Sequence, residues 1–270
     1  MFTYSFMQYA FIASFFISII CAIMGVFVVA RKTAFYTHTL SEISFSGASF
    51  AIFAGISPIT GMLLFTITSS IFVSLTGRNM NQRESSVSVF SAIFIGLGVL
   101  FLSLSNKQSS YATNILFGSI VGISRANVTE LLILIAIILC ITGIMFRKLK
   151  YISFDTIGAQ YNAKNTAWIS SLFLILVACT VSVTAQIVGS LLIFSLLTIP
   201  ASSAKYLAHS VHSMMLLSFV FALFGTWMGL YLSYITNWPV SFFITFIEGI
   251  IYGLALAYAK IQIPNSSNNR

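Results

Sequence analysis

Apolar stretches of membrane-spanning length follow one another along almost the whole chain, separated by short polar breaks. Segments at about 8–30, 35–55, 57–76, 85–105, 129–146, 166–185, 187–204, 213–235 and 240–260 each supply roughly the 20 residues that an α-helix needs to cross a bilayer core. The pattern predicts nine spans, or eight if one segment is re-entrant or two are fused. The second segment differs from the others. Thr37, His38, Thr39, Ser41, Glu42, Ser44 and Ser46 interrupt it, so it predicts a helix that lines a polar cavity or a packed interior rather than one facing lipid. Residues 106–128 hold only a short apolar piece, 111–123, between Lys107 and Arg125, and predict a surface or partly inserted helix. Residues 261–270 are polar and predict a disordered tail. Residues 1–260 then form one transmembrane domain.

Composition gives the same answer. Charged residues make up 7% of the chain and hydrophobic ones 58%, against roughly 25% charged in a soluble domain. One soluble core could not hide that much apolar surface, whereas lipid solvates the outer faces of a bundle. The expected fold is therefore all-α, a polytopic transmembrane helix bundle. Residues 8–30 are too long for a secretory leader and no small-residue cleavage site follows, so they are read as the first span.

The net charge of +8 comes from basic residues spread thinly, with no basic run of the kind that binds nucleic acid. Their positions follow the positive-inside rule. With Arg31 and Lys32 placed in the cytoplasm, alternation also puts Arg78, Arg83, Arg147, Lys148, Lys150, Lys164, Lys205, Lys260 and Arg270 inside, and only Lys107 and Arg125 outside. This predicts an outside N-terminus and a cytoplasmic C-terminus. The longest cytoplasmic stretch is then the polar segment 147–166. Cys21, Cys140 and Cys179 all fall in apolar stretches and predict core packing rather than a disulfide or zinc site.

Five residues in the chain are acidic. Glu84, Glu130 and Asp155 lie in or beside loops, but Glu42 and Glu248 lie inside apolar segments, where an ionisable group is a functional candidate. His38 precedes Glu42 by four residues, so the two share a helix face. Imidazole and carboxylate one turn apart are half of a site for a divalent transition metal. The same pair also suits a proton relay or a structural hydrogen bond between helices, and the residues alone leave these open. Glu248 falls near mid-membrane in the last span. His209 and His212 sit beside Lys205 at a predicted boundary, with spacing that permits ligation but more often marks an interface. The chain lacks the GxxxxGK[ST] phosphate loop, an HExxH pair and any Ser/His/Asp set, which argues against ATP hydrolysis or proteolysis by this chain.

From about Arg31 to Tyr258 the chain resembles the permease subunits of the ABC-3 family, the bacterial ABC importers for zinc, manganese and iron. RKTAFYTHTLSEISFSGASFA in the second segment is similar to the family stretch R-R-x-A-x-x-G-D-A-L-S-H-A-x-x-P-G. LFGSI at 116–120 resembles its LFG segment, and SFDTIGAQYNA at 153–163 its FDP-x-x-A-x-x-x-G loop. VGSLLIFSLLTIPASSAKYLA at 188–208 is similar to V-G-x-L-L-x-x-A-L-L-x-x-P-A-A-T-A, and GLYLSYITNWPVS at 229–241 to G-x-x-L-S-Y-x-x-D-x-P-x-G. His38 stands where the family has Asp and Glu42 where it has His. Asn237 replaces an Asp, Thr156 a Pro and Ser241 a Gly. Glu248 has no counterpart in the pattern.

The resemblance implies a type II importer-like permease in a bacterial cell (inner) membrane. It implies a second copy of the chain, two cytoplasmic ATP-binding subunits docked on the loop at 151–166 through Phe154, Asp155, Gly158 and Ala159, and an extracellular or periplasmic metal-binding protein. The cargo would be zinc, manganese or iron, handled by His38, Glu42 and Glu248. No permanently bound cofactor is expected, and ATP would sit on the partner. The competing expectation is a proton-coupled secondary transporter with His38 and Glu42 as its relay.

Overall fold

The computed structural model describes residues 5–76, 80–105, 116, 118, 124–155 and 163–262. Among these residues the chain is helical, with no strand. The helices are α1 (Ser5–Ala30), α2 (Ala34–Ala54), α3 (Pro58–Thr76), α4 (Met80–Leu104), α5 (Arg125–Phe154), α6 (Ala163–Val188), α7 (Ser190–Leu207), α8 (Val211–Thr236) and α9 (Val240–Gln262). Eight of these nine are long and apolar enough to cross a membrane, and α2 is the exception.

Helix α1 forms the centre of one half. It packs against α5, α6, α7 and α8, while α9 closes the outside by packing on α7 and α8. Ile17, Ile20, Met24, Phe27, Phe173, Leu192 and Leu197 are sealed in this core. Helix α2 forms the centre of the other half, held by α3, α4, α6 and α7. Most of its hydroxyls are absorbed locally: Thr37, Thr39 and Ser41 each donate to a carbonyl three or four residues back, while buried Ser44 has no partner. Ser46 instead donates to the Phe94 carbonyl on α4. This satisfies polar groups without water, as an intramembrane helix requires. Tyr36 reaches Ser70 on α3 at 2.6 Å, and Thr66 pairs with Ser182 on α6 at 2.7 Å.

Two sequence expectations change. The segment 147–166 is not one long loop. Helix α5 runs through Phe154, and α6 begins at Ala163. At 30 residues, α5 is about 45 Å long, beyond the roughly 30 Å apolar core. Its basic stretch, Arg147, Lys148 and Lys150, therefore lies in the part of the helix that extends out of the bilayer. The cysteines also differ. Cys21 is buried, but Cys140 lies exposed on α5, where a thiol is apolar enough to face lipid. The tail from 263 onward and most of 106–123 lie outside the described residues.

Candidate metal-translocation site

The linker between α1 and α2 is three residues long, with Lys32 at φ +57°. This tight elbow sets the start of α2 and so the height of His38, one turn inside the helix. His38 and Glu42 then follow on one face. Their side chains are 43% and 28% exposed in the single chain. Phe35, one turn before His38, is 48% exposed, whereas Ser46 and Ser49, on the same face one and two turns beyond Glu42, are sealed. The helix is thus open over its first turns, where its His–Glu pair lies, and sealed through its middle.

His38 Nδ1 lies 3.7 Å from Glu42 Oε1. That is too long for a hydrogen bond, so the two groups are neighbours that a third species could bridge. Each is held from another helix. The His38 ring stands edge-on to Phe194 of α7, with centroids 5.0 Å apart. Glu42 Oε2 accepts a hydrogen bond from Ser91 Oγ on α4. One carboxylate oxygen is thereby anchored while the other faces the imidazole. The sequence offered no way to single out Ser91 or Phe194, since each is one of many such residues in apolar segments.

Among the described residues no third His, Cys, Asp or Glu joins the pair. Glu248 in particular is not brought to it. That carboxyl lies against Gly225 of α8, in the half of the bundle built on α1. The pair offers one nitrogen and one free oxygen toward the outside of the chain. That is an incomplete coordination sphere for an ion that takes four or more ligands. His209 and His212 are exposed, and His212 rests against Phe146 at 5.6 Å rather than with other ligands.

At the far end of α5, Phe154 is 46% exposed. Asp155 follows as the helix cap, its N–H bonded to the Tyr151 carbonyl at 2.9 Å. Gly158 and Ala159 lie outside the described residues. One residue back, Ser153 accepts from Arg31 Nε at 2.8 Å, so the α1–α2 elbow is tied to the end of α5.

The model of the family described as the ABC 3 transport family matches residues 3–259. The chain belongs to the ABC 3 transport family. It is a multi-span permease of a transport system. Among its relatives is an uncharacterised membrane protein of Cyanophora paradoxa, 30% identical over 92% of this chain and 83% of the relative. Another is the manganese import system permease protein ScaB of Streptococcus parasanguinis, 26% identical over 97% of this chain and 94% of the relative. The solved structure of PsaBC from Streptococcus pneumoniae in complex with Fab superposes with a TM-score of 0.83 at 24% identity, covering 93% of this chain and 91% of that one. That likeness shows the same fold.

Proposed function

We propose that this permease serves an ATP-driven importer of a divalent transition-metal ion, and that His38 and Glu42 are its ligands on the path. The observation that carries the reading is the half-exposed pair on the most polar helix. A carboxylate left facing lipid is costly, so the open stripe of α2 calls for a cover. A second copy of the chain, presenting the same stripe across a two-fold axis, both covers the pair and doubles its ligands. Two imidazoles and two carboxylates suit manganese, iron or zinc. The permease relative named for manganese import favours manganese among them. Each chain contributes few ligands and the site opens with the interface, so the ion is held weakly enough to leave.

The remaining assembly follows from the family. Two ATP-binding subunits dock at the cytoplasmic end of α5, where Phe154 and Asp155 are exposed. A metal-binding protein delivers the ion to the opposite face. The chain sits in a bacterial cell membrane with its N-terminus outside and C-terminus inside, the orientation favoured by its basic residues.

The test is metal uptake into liposomes by the permease with its ATP-binding partner. ATP-dependent uptake is expected from the wild type, and none from a variant carrying His38→Ala with Glu42→Ala. Unchanged uptake in that variant would overturn the assignment of the pair. Uptake by the permease alone, driven by a pH gradient, would favour the proton-coupled alternative.

A further inference from the structure

Glu248 is fully buried, and neither carboxyl oxygen has a hydrogen-bond partner. The place is built for it. A Cβ on Gly225 would lie 2.6 Å from Oε1 and 3.0 Å from Cδ, so any larger residue on α8 would push this carboxyl out of its present position. Burying such a group without compensation is expensive. The compensation has to come from outside the chain's own hydrogen bonds.

A narrow cleft of about 10 Å³, room for about one water, lies between α1, α6, α8 and α9 near this spot, bordered by Ser14, Ile17, Val188, Thr226, Leu230 and Ile244. Ile244 precedes Glu248 by one turn on α9, and Thr226 is the neighbour of Gly225. The cleft lies toward the C-terminal ends of α6 and α8, the side proposed above as the outside. Its two hydroxyls give their protons to backbone carbonyls, Ser14 to Phe11 at 2.9 Å and Thr226 to Ala222 at 2.8 Å. Their oxygens are left as acceptors, as a water or hydronium would need. Ser18 continues the seam at 3.4 Å from Thr226.

We propose that Glu248 is a proton-binding station within each subunit, separate from the His38–Glu42 pair and supplied through the cleft at Ser14 and Thr226. A metal fits this place poorly. Among the described residues no three ligating groups converge here, and a divalent ion beside one carboxylate would leave net charge in the bundle. A proton neutralises the carboxyl and needs no coordination sphere. Of the other titratable groups on the surrounding helices, Cys21 of α1 is buried and within electrostatic reach of Glu248, and Tyr252 of α9 pairs with Tyr206 of α7; Tyr9, Lys164, Cys179, His212, Tyr231, Tyr234, Tyr258 and Lys260 lie elsewhere on α1, α6, α8 and α9. Helix α8 presents none within one turn of Gly225. Occupancy of the station sets whether α9 seats on Gly225 as a neutral or a charged helix, which makes it a point where external pH acts on the α8–α9 packing.

The side on which the cleft opens rests on the orientation proposed above; the station itself does not depend on that reading. The experiment is infrared spectroscopy of the purified chain in lipid bilayers, needing neither metal nor an ATP-binding partner. It can therefore fail independently of the importer assignment. Expected is a protonated-carboxyl carbonyl band that is lost in Glu248→Gln and disappears on raising the pH. In the wild type, carbon-13 labelling of glutamate should shift the band, which tests the assignment without any variant. The band should also move on exchange into deuterium oxide, and exchange should slow in Ser14→Leu, which fills the cleft. No glutamate band at any pH would overturn the proposal. So would a band that never exchanges, or one whose exchange ignores Ser14→Leu.

Discussion

Ser91 on α4 donates its hydroxyl to Glu42 on α2, fixing one carboxylate oxygen and turning the other toward His38. The contact joins helices that are 49 residues apart in sequence at this point. It makes Ser91 a positioning residue for the proposed ligand pair. A hydrogen bond to a charged acceptor contributes about 1.5–3 kcal/mol. Ser91→Ala should raise the half-saturating metal concentration for uptake about ten-fold, the factor that some 1.4 kcal/mol represents. Ser91→Thr should restore it. Metal-dependence curves for the two variants provide the check, and identical curves would remove Ser91 from the site.

Arg31, at the elbow, joins α5 to α6. Beyond its bond to Ser153, Nη1 reaches Ser170 at 3.4 Å, and the guanidinium lies 4.3 Å from the centre of the Phe173 ring. Burial pushes this group down to about 10, so it is still a cation at neutral pH and depends on those partners. Arg31→Ala should destabilise the chain by about 2–3 kcal/mol, from a charge-assisted hydrogen bond and a cation–π contact. Arg31→Lys keeps the charge without the planar fork and should recover only part of the loss. Thermal unfolding in detergent measures both.

Gly47 of α2 and Gly61 of α3 meet backbone to backbone. A Cβ at Gly47 would lie 2.8 Å from Met62 Cα, and one at Gly61 2.7 Å from Ala51 Cβ. Alanine at either site should cost about 1–3 kcal/mol through overpacking. Because both substitutions force apart the same contact, the double variant should cost less than the sum. Gly96→Ala is the control: nothing lies near its Cβ position, so stability should hold or rise slightly through helix propensity.

The open stripe of α2 gives a test of the second copy. Phe35 lies one turn before His38 on that stripe and is 48% exposed. In a chain with Cys21, Cys140 and Cys179 replaced, Phe35→Cys should form a disulfide between copies under mild oxidation. Ile144→Cys, on the 79% exposed side chain of α5, should not. Gel mobility without reductant distinguishes the two. Equal cross-linking at both positions would place the stripe against lipid.

The helical elements were legible because bilayer spans need long apolar runs, and α1 to α9 each coincide with one of the segments read from the sequence, although α2 is less apolar than the rest. The family too was legible, because its motifs stand in order along the chain. Even the departure at Asn237 has a local explanation. It caps α8 at φ 58°, a left-handed conformation that Asn tolerates better than most residues. Less legible was the end of α5. A run of Arg and Lys reads as a solvated loop, yet the same residues suit the last turns of a helix that projects from the membrane. Ser91 and Phe194 could not be found at all, since which of many serines and phenylalanines faces α2 depends on helix rotation.

The sequence by itself determined that this protein lives in a membrane, that α2 is the polar helix among apolar ones, and that His38 and Glu42 share its face. Those facts rest on composition and on the 3.6-residue repeat, which need no knowledge of neighbours. Only the tertiary structure decided that the pair lies on an open stripe and that Glu248 belongs to a different place. Two carboxyls at similar depth look alike in a sequence. Packing separates them: α2 leaves Glu42 half-open beside Ser91, while Gly225 of α8 admits Glu248 into the sealed interior.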